Sequence, residues 1–256
     1  MWGEIKMGME LVKEIDDLVK INYVFATATN KHGLVSNKDD DGNVIESLKE
    51  LGEKGLLGIL YEVNPDALVI STGGTAGLIE NAGYKVQRIS DFTGWPEMDT
   101  GLVKSMSPKL YVGMLAHPYT KSDAEYMKEQ KFHSVDMVLA NFYKFEDAVK
   151  NNDITVDPHN LELIRQNMDV GGPTAIHTAR KGYLTTAAAT RPEDYVRFAN
   201  DLKKYDGHVS LESRFKAMQN TSEDLAQYFS EINKFNQSID IKNVRAAYDT
   251  IHKVMK

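Results

Sequence analysis

The sharpest constraint on this chain is a change of character within ten residues. The apolar run Ala67-Leu68-Val69-Ile70 passes directly into Ser71-Thr72-Gly73-Gly74-Thr75-Ala76, and the chain continues as Gly77-Leu78-Ile79. The first part reads as a buried strand and the last as the start of a helix. Between them, two glycines let the backbone turn with no side chain in the way, and Ser71, Thr72 and Thr75 supply hydroxyls. The unpaired amides of the following helix face the same space, so the run is suited to close approach by a phosphate. An ordinary strand-to-helix turn has a similar composition. The ligand reading therefore rests on the segments that accompany this one.

Short apolar runs alternate with amphipathic stretches along most of the chain, the pattern of a parallel sheet covered by helices. Strands are expected at 24–27, 67–71, 86–89, 110–115, 135–140 and 184–189, with Gly113 weakening the fourth. Helices are expected from Val44 through Leu57, at 76–82, at 123–131, after Asp157-Pro158 through Leu161, Leu163 and Ile164, at 174–180, at 193–204, from 211 to about 232 behind Ser210 as N-cap, and at 243–256. The division is an α/β domain over 1–190 and a helical C-terminal extension over 191–256 packed on it.

With 256 residues and 42% of them hydrophobic, the chain can bury a sizeable core. A formal charge of −7 argues against a nucleic-acid surface but allows a small anionic ligand where a few lysines converge. The absence of cysteine removes disulfides, thiolate metal sites and cysteine nucleophiles, and suits a cytoplasmic setting. No segment has the apolar length of a membrane span or secretion signal. His32, His133, His159, His208 and His252 lack metal-ligand spacing, and Asp39-Asp40-Asp41-Gly42 lacks the later ligands of a calcium loop. No metal site is expected.

Four further segments fall where strands are expected to end: Thr93-Gly94-Trp95-Pro96-Glu97-Met98, 102–108 with Lys104, Ser105 and Pro108, Asn141-Phe142-Tyr143-Lys144-Phe145, and Met168-Asp169-Val170-Gly171-Gly172-Pro173-Thr174. Together with the Ser71–Ala76 run, and in this order, they resemble the IMP cyclohydrolase domain of the PurH family. The resemblance extends with gaps from about Tyr23 to about Phe235. It implies a methylglyoxal-synthase-like α/β fold with a mostly parallel central sheet, and closure of formyl-AICAR to IMP with loss of water. No cofactor is implied. The partners implied are a nucleotide substrate, a second copy of the chain in a homodimer, and a separate AICAR transformylase, whose half of PurH has no counterpart here.

The same resemblance assigns residues. Lys104, Tyr143, Asp169 and Lys181 fall on catalytic positions. Thr27, Thr29 and Lys31 fall on a loop that helps hold the 5′-phosphate, together with Ser71, Thr72, Gly73, Gly74 and Thr75. Ser105 and Asn141 also face the substrate, and the amides of Val170, Gly171 and Gly172 form an oxyanion hole. Each has a plainer reading: Tyr143 as an aromatic packed between Phe142 and Phe145, Asp169 as a helix N-cap, and Lys181 as a cation at a helix C-terminus. The chain departs from the family pattern at Leu102, Ser107, Lys144, His177 and Asn30, and carries an insertion over about 38–60. Lys144 and His117 are candidates to restore positive charge. Two other functions share the fold and the phosphate end: a non-catalytic module that binds or senses purine nucleotides, and a methylglyoxal-synthase-type lyase acting on a phosphate ester.

Overall fold

The structure is a computed structural model and describes residues 11–96, 98, 101 and 103–249. In chain order the elements are β1 (Leu18–Lys20), β2 (Tyr23–Ala28), a 3-10 helix (Glu46–Lys54), α1 (Gly55–Val63), β3 (Leu68–Ser71), α2 (Gly73–Asn81), β4 (Gln87–Arg88) and α3 (Ile89–Thr93). There follow α4 (Pro108–Leu115), α5 (Lys121–Gln130), β5 (Met137–Asn141), α6 (Phe145–Asn151), α7 (Asn160–Gln166) and α8 (Gly171–Lys181). The remainder is β6 (Ala187–Ala189), α9 (Pro192–Lys204), β7 (His208–Ser210), α10 (Leu211–Ser238) and α11 (Ile241–Ala247).

Five strands form a parallel sheet in the order β4-β3-β2-β5-β6. Side chains alternate between its faces with the strand period of two. Val24, Ala26, Val69, Met137 and Leu139 share one core with Leu56, Leu57 and Leu60 of α1 and Phe198 and Leu202 of α9. Phe25, Ile70, Val138 and Ala140 share the other with Leu110 and Met114 of α4 and Ala175, Ile176 and Ala179 of α8. Every residue of β5 is buried, as expected of a strand covered on both faces. A third core joins Phe145, Leu161, Ile164, Tyr228 and Phe235, tying α6 and α7 to α10.

Several elements differ from the sequence expectation. Residues 110–115 are helical. Ser107 caps α4 by accepting from Leu110 N–H, Pro108 occupies its first turn, and the buried Leu110, Gly113 and Met114 recur at helical spacing. Gly113 permits close packing, because a Cβ there would stand 2.5 Å from the His133 carbonyl oxygen. The expected helix through Leu57 is broken at Gly52 (φ 60) and Gly55 (φ 62), and α1 begins only at Gly55. The strand at 86–89 shrinks to Gln87–Arg88, and the strand at 184–189 to Ala187–Ala189. α8 begins at Gly171, taking in both glycines and Pro173. The last helix is Ile241–Ala247, while 250–256 of its expected span lie outside the described residues. The cap at Ser210 is present, with its Oγ accepting from Ser213 N–H at 3.2 Å.

The strands β1 and β7 pair antiparallel as a separate ribbon. Arg214 of α10 locks this ribbon to the body. Its fully buried guanidinium gives Nε to Tyr183 O (3.0 Å), Nη1 to Asp17 O (3.0 Å) and Val209 O (2.6 Å), and Nη2 to Asp16 O (3.1 Å) and Leu184 O (3.1 Å). A planar fork with five donors suits five converging carbonyls, and a lysine ammonium has three. At the amino-end edge of the sheet, Asp136 Oδ2 accepts from Asn22 N–H (2.8 Å) and Tyr23 N–H (2.9 Å), fixing the entry to β2. Burial pushes this carboxyl up to about 7, against the pull of the two amides.

Two outcomes follow for stability. Arg214→Lys leaves at least two carbonyls without donors and should cost about 2–4 kcal/mol in denaturant unfolding; an unchanged midpoint and slope would show the five bonds to be dispensable. For Asp136 the folded state holds its proton more tightly than the unfolded state, whose ordinary value is 3.8. Its contribution is therefore greatest below pH 4 and is lost as pH rises towards 7, by something on the order of 2–4 kcal/mol. Asp136→Asn should flatten the stability profile over that window relative to the parent, and parallel profiles would contradict the assignment.

Candidate functional site

The order of the sheet reverses at β2. From it the chain goes first to β3 on one side, and only later to β5 on the other. Such a reversal opens a crevice above the carboxyl ends of the two central strands. Asn141, at the end of β5, spans the crevice. Its Nδ2 donates to Asn30 O and its Oδ1 accepts from Asn30 N–H, both at 2.8 Å. The carboxamide is committed to one residue of the loop that follows β2. Asn141 thus lines the cavity and also fixes the Asn30 loop that borders it.

One wall is the loop between β3 and α2. Thr72 and Thr27 join hydroxyl to hydroxyl at 2.9 Å across the strand ends. Thr75 Oγ1 accepts from Ala28 N–H (3.1 Å) and donates to Ala28 O (3.0 Å), fastening α2 to β2. No side chain caps the first turn of α2, so its amides at Gly73 and Gly74 open on the crevice. Thr27, Thr29, Lys31, Thr72, Gly73, Gly74 and Thr75 line a cavity of about 310 Å³ with Lys104, Asn141, Tyr143 and Asp169. Ser71 does not join them. It is fully buried and its Oγ donates to Ala26 O at 2.7 Å, because the strand pleat turns position 71 into the sheet. Arg88, which sequence reasoning passed over, braces this wall by donating to Gly73 O at 3.3 Å while paired with Glu80.

The cavity continues into a second space of about 450 Å³, lined by Lys104, Ser105, Tyr143, Asp169, Val170, Gly171 and Gly172 among others. Lys104 Nζ lies over Gly73 and Gly101, where a Cβ on either would stand 3.4 Å from it. Tyr143 is 60% exposed in this space, while its neighbour Phe145 is buried and Phe142 packs on Tyr228. The reading of Tyr143 as a packed aromatic is thereby set aside. Asp169 accepts from Gly172 N–H at 3.2 Å. Burial raises its carboxyl above the ordinary range, and the amides of Gly172, Gly171 and Val170 partly offset this. These amides, expected as an oxyanion hole, are turned to the Asp169 carboxylate itself. A Cβ on Gly172 would stand 2.6 Å from Asp169 Oδ2, so a larger residue there would displace the carboxylate from these amides. Among the described residues, Lys31 and Lys104 share the lining of this cavity with Asp169.

Lys181 is not brought to this cavity. It is exposed at the last residue of α8, about 15 Å along the helix axis from Gly171. His177 is also outside, its Nδ1 facing the Arg180 guanidinium at 2.9 Å. Lys144 lines a smaller adjoining cavity of about 200 Å³ with Asp224 and Glu231, and His117 lines neither space. Ser107 is committed to capping α4, and Leu102 lies outside the described residues. A residue with no local sequence signal does reach the site. Tyr228 of α10 hydrogen-bonds to the main chain of Asp169, 59 positions earlier.

Residues 60–174 match the family model described as the MGS-like domain. Over 205 residues the chain is 33% identical to the bifunctional purine biosynthesis protein PurH of Ruminiclostridium cellulolyticum, an alignment covering 80% of this chain and 36% of that protein. It is 34% identical over 180 residues to the PurH of Rippkaea orientalis, covering 68% of this chain and 34% of the relative. The chain thus spans about a third of the length of these relatives. A solved structure, titled as the crystal structure of ForH, shares the fold with a TM-score of 0.64 at 23% identity, covering 84% of this chain and 99% of the other. Among the described residues, no helix is long and apolar enough to cross a membrane. The chain carries an MGS-like domain and, over most of its length, is a homologue of the PurH proteins.

Proposed function

We propose that this chain is an IMP-cyclohydrolase-like enzyme of purine biosynthesis, closing formyl-AICAR to IMP and water. The observation that carries the reading is convergence: Lys104, Tyr143 and Asp169 arrive from three separate segments at one cavity, beside uncapped helix amides and Lys31. The homology to PurH supports the same reaction class.

In this reading the 5′-phosphate rests against Gly73, Gly74, Thr29 and Lys31, and the ring lies towards Gly171 and Gly172. Holding the carboxamide nitrogen against the formyl carbon supplies much of the rate, since the reaction is intramolecular. As the new C–N bond forms, Asp169 takes the proton leaving nitrogen, a task suited to a carboxylate whose proton affinity burial raises. Lys104 and Tyr143 stabilise the developing oxyanion. The proton taken by Asp169 and the proton lost from the formamido nitrogen as the ring C=N bond forms both end on that oxygen, which leaves as water when its bond to carbon breaks. The formylated substrate comes from a separate formyl-transferring enzyme, and the working form is a homodimer.

Ring closure is read from the absorbance change of formyl-AICAR on conversion to IMP. Lys104→Ala, Tyr143→Phe and Asp169→Asn should each lower kcat by roughly 10²–10⁴-fold. Wild-type protein that binds IMP but never closes the ring would replace the enzyme with a nucleotide-binding module. At the phosphate end, Asn141→Asp removes the donor to Asn30 and adds a negative charge. Inorganic phosphate and IMP should both bind at least about ten-fold more weakly, a loss of roughly 1.4 kcal/mol. Undiminished phosphate affinity in a folded Asn141→Asp protein would place the anion elsewhere.

A further inference from the structure

Tyr228 sits on α10, outside the strand-end loops that make the site, and is 3% exposed. Its hydroxyl accepts from Asp169 N–H at 2.8 Å and donates to Asp169 O at 3.3 Å. Both main-chain groups of one residue are thus held by one phenol oxygen. A tyrosine serving only the packing of α10 needs a single acceptor; this one fixes the peptide units on both sides of Asp169. Its ring lies 4.4 Å from that of Phe142, the residue before Tyr143. The same side chain therefore stands behind the segments that carry Asp169 and Tyr143. Burial raises the phenol to about 12, so it remains a donor at any working pH.

We infer that Tyr228 is a positioning residue for Asp169, through which α10 sets the orientation of that carboxylate in the site. The inference rests on the reading of Asp169 as a proton-transfer group. The carboxylate is aligned on the amides at the start of α8, and its direction depends on the torsion angles at residue 169. Loss of the phenol oxygen frees those angles while leaving the aromatic packing in place. Among the described residues, Lys31, Lys104, Ser105 and Tyr143 line the cavity with Asp169, and the α8 amides meet its carboxylate. Behind it, Glu231 lies near Tyr228 on the same helix.

The test compares Tyr228→Phe with Tyr61→Phe, which also removes one hydroxyl bonded to the main chain, at Lys85 O and away from the site. The Asp169 carboxyl is titrated by 13C NMR, its resonance assigned by loss in Asp169→Asn, and formyl-AICAR kinetics are run in parallel. In Tyr228→Phe the Asp169 midpoint should move by more than about half a pH unit. kcat should fall about ten- to a hundred-fold with KM changed by less than about three-fold, and phosphate affinity should be retained. Tyr61→Phe should alter none of these. The inference is overturned if Asp169 titrates as in wild type in Tyr228→Phe, or if Tyr61→Phe shows the same shift. Wild-type protein without turnover would remove the proposed reaction alone, because the Asp169 titration still decides the role of Tyr228.

Discussion

The site exists because β2 is flanked on opposite sides by two strands that both follow it in the chain. The connection from β2 to β3 departs to one side, and β5 lies on the other, so a crevice opens between the carboxyl ends of β2 and β5. Crossover connections of one hand force the covering helices onto both faces and leave that end uncovered. Thr72, Asn30, Asn141 and the start of α8 are where they are because of that reversal. A sheet with the same residues in simple sequential order would bury the strand ends beneath successive loops.

Leaving the gap open creates a difficulty, because loops above strand ends are the least constrained backbone in an α/β protein. Here two loops are held by a side chain that engages both main-chain groups of a single residue: Asn141 on Asn30, and Tyr228 on Asp169. Each clamp comes from a distant part of the chain. The geometry of the loops is therefore set by the packed elements beneath and beside them. The electrostatics follow a similar division. Helix amides and Lys31 stand at one end, while at the other a half-buried carboxylate is met by the amides of α8.

Much of this was legible in the sequence, and the exceptions have identifiable causes. Buried strands such as β5 and the start of β3 declare themselves by continuous apolar character, and the loops after them by glycines and hydroxyls. The helix at 110–115 was read as a strand because a short apolar run has no decisive period; Ser107-Pro108, a cap and first-turn pair, held the missing signal. The ribbon of β1 and β7 was invisible, since each strand is three residues long and its partner lies almost two hundred positions away. At the site, residue types on strand-end loops were sufficient to gather most of the cavity. What they did not convey was direction. Ser71 turns into the sheet, Asn141 bonds to Asn30, and Lys181 stands at the end of its helix far from Gly171. Tyr228 was hidden for a different reason, as one aromatic in the apolar stripe of a long helix.

The fully buried Arg214 bears on how such a chain comes to be made. Its five carbonyl partners lie in three stretches, at 16–17, 183–184 and 209, and the guanidinium itself arrives after all of them. During synthesis the earliest of these carbonyls emerge long before their donor, so the first strand of the ribbon has neither its partner β7 nor its lock. The sheet can begin to assemble from local βα units, but the ends of the ribbon must wait. A single side chain then joins main chain from residues 16–17, 183–184 and 209, segments made far apart in time.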